Sequence, residues 1–187
     1  VHMMFVRQPR KVLTTARPIV IAWLASLAAL VAMPVAAAET FDIGLAGNGA
    51  RIDAMAVGAR ASSAPTVVLV GGLNGDDSSS AAVRAAVADY ERQGNRAVNL
   101  LAVPVANPDG AALQFPPQGV AYRDHAESQV LWRWLGAQAP DLVLVAGTDD
   151  SALIDALSTQ QVADMGRIPA RHWSGKIADL AVLHGAI

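Results

Sequence analysis

The sequence predicts an α/β protein, a three-layer, mostly parallel sheet with an N-terminal hairpin. Two apolar runs carry that prediction, Thr66–Gly72 (TVVLVGG) and Asp141–Gly147 (DLVLVAG). Unbroken runs of Val and Leu mark strands buried on both faces. Helix-period segments alternate with these runs, as expected of parallel strands joined by crossovers. Each run is followed by paired acids, Asp76-Asp77 and Asp149-Asp150. Ligands of open α/β sheets sit beyond the carboxyl ends of the strands, so these carboxylates are expected where a site would form.

Residues 1–38 are expected to lie outside the fold. Arg7, Arg10, Lys11 and Arg17 form a basic leader without acids, Ile19–Val35 is apolar, and Ala36-Ala37-Ala38 offers small residues before Glu39. That order is the one found in a Sec-type signal peptide. It predicts a periplasmic or secreted protein cut near Ala38-Glu39, with no stable membrane anchor afterwards. A transmembrane anchor over Ile19–Ala38 is the competing reading; Pro34 and the alanine run favour cleavage. Removing 38 of the 187 residues leaves 149, a single domain's worth, over residues 39–187. The leader takes four of the 14 basic residues and none of the 16 acids, so the remainder carries 10 against 16, a net charge of −6. That balance argues against a nucleic-acid partner. The absence of cysteine excludes disulfides and thiolate metal ligands.

Thr40–Leu45 and Arg51–Val57 read as two strands joined by Ala46-Gly47-Asn48-Gly49, and Asn-Gly is the strongest short hairpin signal. Thr66–Val70 is a buried strand ended by Gly71-Gly72. Ser78, Ser79 or Ser80 is expected to cap a helix over Ala81–Gln93, whose apolar face is Val83, Ala86, Val87 and Tyr90. Ala97–Val105 is a third buried strand, running into the tight turn Asn107-Pro108-Asp109-Gly110. Ala111–Asp124 is a loop and His125–Ala137 a helix with Val130, Leu131, Trp134 and Leu135 on one side. Leu142–Val145 is a strand and Ser151–Leu157 a short helix; Leu157–Ile187 alternates weak signals.

In that order the pieces resemble the zinc carboxypeptidases and their relatives, the succinylglutamate desuccinylases and aspartoacylases. The likeness rests on Val67–Asp77 (VVLVGGLNGDD), Val103–Gly110 (VPVANPDG), Asp124–Trp134 (DHAESQVLWRW) and Pro140–Gly147 (PDLVLVAG), and covers Phe41–Asp150. It implies the family's phosphorylase/hydrolase-like fold. It also implies a metal-dependent hydrolase of peptide or amide bonds beside a free carboxylate, with murein peptides as natural substrates in the envelope, and a zinc cofactor. In the family, zinc is held by a His and a Glu three apart and by a later His. The first two positions are Asn74 and Asp77 here, and the third falls on Gly147 or Ala146, with Asp149 the remaining oxygen donor nearby. The family's carboxylate-gripping Asn-Arg pair corresponds to Tyr122-Arg123, which makes Arg123 the candidate substrate-binding residue. No counterpart of the catalytic Glu stands after Gly147. Either the chain is part of a longer protein, incomplete at its C-terminus, or the site has been abandoned. The alternative function is a catalytically silent relative that binds peptide or peptidoglycan fragments.

Several side chains keep two readings. Asn74, Asp76, Asp77, Asp149 and Asp150 offer only oxygen, which suits Ca²⁺ or Mg²⁺ better than zinc. The acids serve equally well as partners of helix N-termini, with no metal at all. His125 is a substitute base or a loop histidine, and Arg123 a carboxylate fork or a surface partner of Asp124 or Glu127. Trp134 is expected in the core and Trp132 under a loop, with a sugar platform as the other reading. An α/β-hydrolase is disfavoured, because no G-x-S-x-G elbow follows the Gly-rich turn at 71–75.

Overall fold

The chain enters the fold as a hairpin of β1 (Glu39–Leu45) and β2 (Arg51–Val57), antiparallel from Glu39↔Ala56 to Leu45↔Arg51. The structure is a computed structural model that describes residues 38–59, 61, 63–120, 123–147 and 151–174. The Asn-Gly signal forms the turn itself. Ala46 N donates to Ala50 O at 2.8 Å, and Ala50 N donates to Asn48 Oδ1 at 2.8 Å. Gly49 takes φ +84°, which its lack of a Cβ allows.

After the hairpin come β3 (Thr66–Val70), α1 (Ser78–Arg92), β4 (Asn99–Val103), α2 (Ala126–Gln138), β5 (Leu142–Ala146), α3 (Ser151–Thr159) and β6 (Ala170–Trp173). The strands form one sheet in the order β1-β2-β4-β3-β5-β6. β4, β3, β5 and β6 run parallel, while the hairpin joins them antiparallel through β2 and β4. The sheet is therefore mixed but mostly parallel, as the two apolar runs predict.

Side chains alternate across the pleat and fill two cores. Val67 and Leu69 of β3, Leu100 and Ala102 of β4, and Leu142 and Leu144 of β5 face α1, where they meet Val83, Ala86, Val87 and Tyr90. Val68, Val70, Val103, Val143 and Val145 face the other way, against Val130, Leu131, Trp134 and Leu135 of α2 and Leu153 and Leu157 of α3. The protein thus has three layers. Each buried Val or Leu contributes about 1.5–3 kcal/mol of transfer free energy. The Tyr90 hydroxyl accepts from Val98 N and donates to Val98 O, both at 2.9 Å, so its polar end is satisfied inside the core.

Several elements differ from the sequence expectation. α1 begins at Ser78, not Ala81, because Asp77 rather than a serine is its N-cap. β4 is shorter than Ala97–Val105, since Pro104 has no N–H for a ladder. α2 begins one residue later than expected, because His125 takes a left-handed φ of 51°. β6 was hidden in the weakly patterned tail, since only Trp173 of its residues is buried. Among the described residues no helix is long and apolar enough to cross a membrane; the leader at 1–37 lies outside them.

Candidate functional site

The turn after β3 is held by close packing that only glycine permits. A Cβ on Gly71 would stand 2.8 Å from Val83 Cγ2 and 2.9 Å from Ser79 O. At Gly72, with φ +61°, it would stand 2.6 Å from Ser80 Oγ and 2.7 Å from Val105 Cα. The turn is also laced to the segment after β4. Ala106 N donates to Gly71 O at 3.0 Å and Asn107 N to Gly72 O at 2.9 Å. The ends of β3 and β4 therefore reach the site as one rigid piece.

The Asn107-Pro108-Asp109-Gly110 turn closes that piece. Asn107 is buried, and its Nδ2 donates to Leu73 O at 2.7 Å and Ala111 O at 2.8 Å. Asp109 Oδ1 accepts from Ala111 N at 3.0 Å, and Gly110 N donates to Asn107 O at 3.2 Å with Gly110 at φ +68°. The motif is thus a clasp between two loops. The carbonyl oxygen of its amide, Asn107 Oδ1, is buried and has no hydrogen-bond partner among the described residues.

Beside the clasp lies a cleft of about 330 Å³, bounded by Leu73, Asn74, Ala112, Leu113, Phe115 and Leu153. Its loop wall is anchored by the start of α2. The His125 Nδ1 lies 3.1 Å from Ala112 O, Ser128 Oγ accepts from Gln114 N at 3.0 Å, and Phe115 stacks on Trp132 at 6.3 Å. Trp132 therefore packs under the loop and Trp134 lies in the core. The side chains around it are mostly apolar, with Asn74 among them, but the surface they leave open is more polar than apolar.

Asp77 does not line this cleft. Its Oδ1 accepts from Ser79 N at 2.8 Å, Ser80 N at 3.3 Å and Ser79 Oγ at 2.5 Å, while Asp77 N donates to Ser80 Oγ at 3.3 Å. This is a capping box at the start of α1. The Ser79 hydroxyl first, against opposing burial, and then the Ser80 and Ser79 N–H groups hold the Asp77 carboxyl below the ordinary aspartate value. Ser79 Oγ also accepts from Gly72 N at 2.9 Å. A Cβ on Gly147 would lie 3.8 Å from the same oxygen, and Ser79, Gly147 and His172 border a hollow of about 210 Å³. Positions 77 and 147 thus converge on a serine hydroxyl.

The zinc that the fold implies does not fit these residues. Position 74 carries a carboxamide, position 147 carries no side chain, and Asp77 is engaged by three donors of the helix cap. Among the described residues no three His, Asp or Glu side chains are grouped so as to hold a metal. Asp149 and Asp150, which would complete either the zinc or the hard-cation reading, lie outside the described residues, as does Tyr122.

Arg123 is exposed and pairs with Asp124, Nε to Oδ1 at 3.3 Å, and it is not among the described residues that line the cleft. Asp124 in turn accepts from Val120 N at 2.9 Å, and that N–H, then Arg123, lowers its carboxyl below the ordinary value. Asp76 pairs with Arg84 at 2.9 Å. Of the two surface partners expected for Arg123, Asp124 is the one it meets; Glu127 is not at the surface but 2% exposed, and it accepts from Gly47 N at 2.6 Å, tying α2 to the hairpin turn. His172 reaches the hollow beside Ser79 from β6, a strand whose pattern gave no signal.

No protein-family model matches the chain, and no curated protein matches its sequence. Solved structures do match its fold. A metallo-carboxypeptidase from Burkholderia cenocepacia superposes with a TM-score of 0.53 at 15% identity, over 79% of this chain and 52% of that one. A protein assigned as carboxypeptidase A from Shewanella denitrificans gives 0.52 at 16% identity, over 63% and 36%. One assigned as a carboxypeptidase from Burkholderia mallei gives 0.52 at 16%, over 64% and 36%. The chain therefore has a metallo-carboxypeptidase-like fold and spans about a third to a half of the length of these structures.

Proposed function

We propose that the chain is a catalytically silent protein of metallo-carboxypeptidase-like fold that binds peptides in the cleft beside Asn74. The observation that carries this reading is the state of Asp77, whose Oδ1 is engaged by the Ser79 hydroxyl and two backbone N–H groups as a helix cap. Together with a carboxamide at 74 and no side chain at 147, this removes the imidazoles that zinc requires. The cleft itself persists. At about 330 Å³, with a surface that is more polar than apolar, it suits a small polar ligand such as a peptide fragment. If the leader delivers the protein to the periplasm or the exterior, peptidoglycan peptides are its natural ligands there. A metal-dependent hydrolase, the other reading, would have to take its nitrogen donors from outside positions 74, 77 and 147.

The test is calorimetry with a murein stem peptide, with and without chelator, alongside zinc analysis of the desalted protein. The expected result is binding that chelator leaves unchanged and less than stoichiometric zinc. Ala112→Trp, which fills the cleft from an exposed wall position, should weaken binding by about tenfold or more. Stoichiometric zinc with chelator-sensitive release of a terminal amino acid would overturn the proposal.

A further inference from the structure

The geometry points to a second ligand site, on the opposite face of the sheet from the cleft, that takes a small zwitterion, a free apolar amino acid. A groove of about 380 Å³ runs between the outer face of the hairpin and α1. Met55, Pro104, Val105 and Pro108 form its apolar part, and two oppositely charged pairs stand around it, Arg51 with Asp53 from β2 and Arg84 with Asp76 from the α1 side.

The charges on this face are not arranged for stability alone. Asp42 and Asp53 lie directly opposite one another on β1 and β2, an arrangement of like charges that destabilises a sheet. Arg51 relieves it unequally. Its Nη2 is 3.2 Å from Asp42 Oδ2, while its Nε is 3.6 Å from Asp53 Oδ1. Asp42 also accepts from Gly44 N at 2.7 Å. Among the described residues Asp53 meets Arg51 beyond hydrogen-bond length, half-exposed at the groove, and can accept from an ammonium group. Across the groove, Arg84 gives Nη1 to Asp76 at 2.9 Å and retains further N–H groups in a planar fork suited to a carboxylate. An α-amino acid offers one group to each and lays its side chain on Met55 and Pro104. A plain anion would meet Asp53 and Asp76, and a plain cation would meet Arg51 and Arg84.

The test is an amide-resonance titration of the purified protein with L-leucine, with leucinamide and N-acetyl-leucine as probes that each lack one charge. Leucine should shift the resonances of Asp53, Met55 and Arg84 saturably. Asp53→Asn and Arg84→Gln, both at exposed positions and judged folded by unchanged spectral dispersion, should each weaken binding by about fivefold, as should removal of either ligand charge. Absence of saturable shifts, shifts confined to the cleft around Asn74 and Leu113, or affinity unaltered in both variants would overturn the site.

Discussion

Val67 and Leu142 face each other across parallel strands, both buried, at 0% and 2% exposure. That register runs on to Val70↔Val145, so the turn carrying Asn74 and Asp77 and the residue Gly147 leave the sheet as neighbours. The convergence of Asp77 and Gly147 on Ser79 follows from this pairing rather than from any contact between the loops alone.

Leu142→Ala should therefore loosen the site as well as the core. Leu142 packs in the core under α1, and truncating a buried leucine costs about 2–5 kcal/mol, with the larger value where the cavity cannot collapse. Urea unfolding measures it. A loss under about 1 kcal/mol would mean that β3 and β5 are not packed as described.

Asp77→Ala should cost about 0.5–2 kcal/mol through loss of the α1 cap. The effect has a definite pH dependence. The folded-state carboxyl lies below the ordinary value of 3.8, so its stabilisation is fully present above that value and is lost as the pH falls through the lower folded value. Unfolding curves of wild type and variant should differ at neutral pH and converge in acid. A difference that persists undiminished below the folded value would assign the loss to packing instead.

How much of this was legible beforehand depended on where each signal was recorded. The hairpin and the strands at 66–70 and 142–146 announce themselves through Asn48-Gly49 and unbroken Val and Leu runs, which are local patterns. The start of α1 was less clear, because Asp77, Ser78, Ser79 and Ser80 are all competent caps and the choice depends on Gly72 N reaching Ser79 Oγ. β6 was illegible, since an edge strand with one buried side chain has no periodicity to read. Glu127 reads in the sequence as a surface partner for Arg123. Its hydrogen-bond donor is Gly47 N, 80 residues away, and no local rule reports that.

Glu127→Ala should destabilise by about 1–3 kcal/mol, because Gly47 N would lose its acceptor in a part-buried place. Glu127→Gln keeps an acceptor oxygen and should lose less. Equal losses in the two variants, measured by thermal unfolding, would show that charge rather than the hydrogen bond is what the hairpin turn requires.

The positions that the resemblance matches to metal ligands can be given metal-binding side chains. Asn74→His, Asp77→Glu and Gly147→His together would place two imidazoles and a longer carboxylate at positions that the fold brings to the ends of β3 and β5. The hollow of about 210 Å³ beside Gly147 leaves room for an imidazole. The backbone there sits at φ +124°, which L side chains rarely adopt, so the new histidine costs about 1–3 kcal/mol of strain. Asp77→Glu removes the cap and adds about as much. Zinc bound by the folded state alone offsets such losses by mass action. The triple variant should therefore take up zinc after desalting and gain thermal stability when zinc is added, and neither effect should appear in Asn74→His alone. A folded triple variant that holds no more zinc than the parent would show that the likeness to the carboxypeptidases stops at the sheet and does not extend to the geometry of its loops.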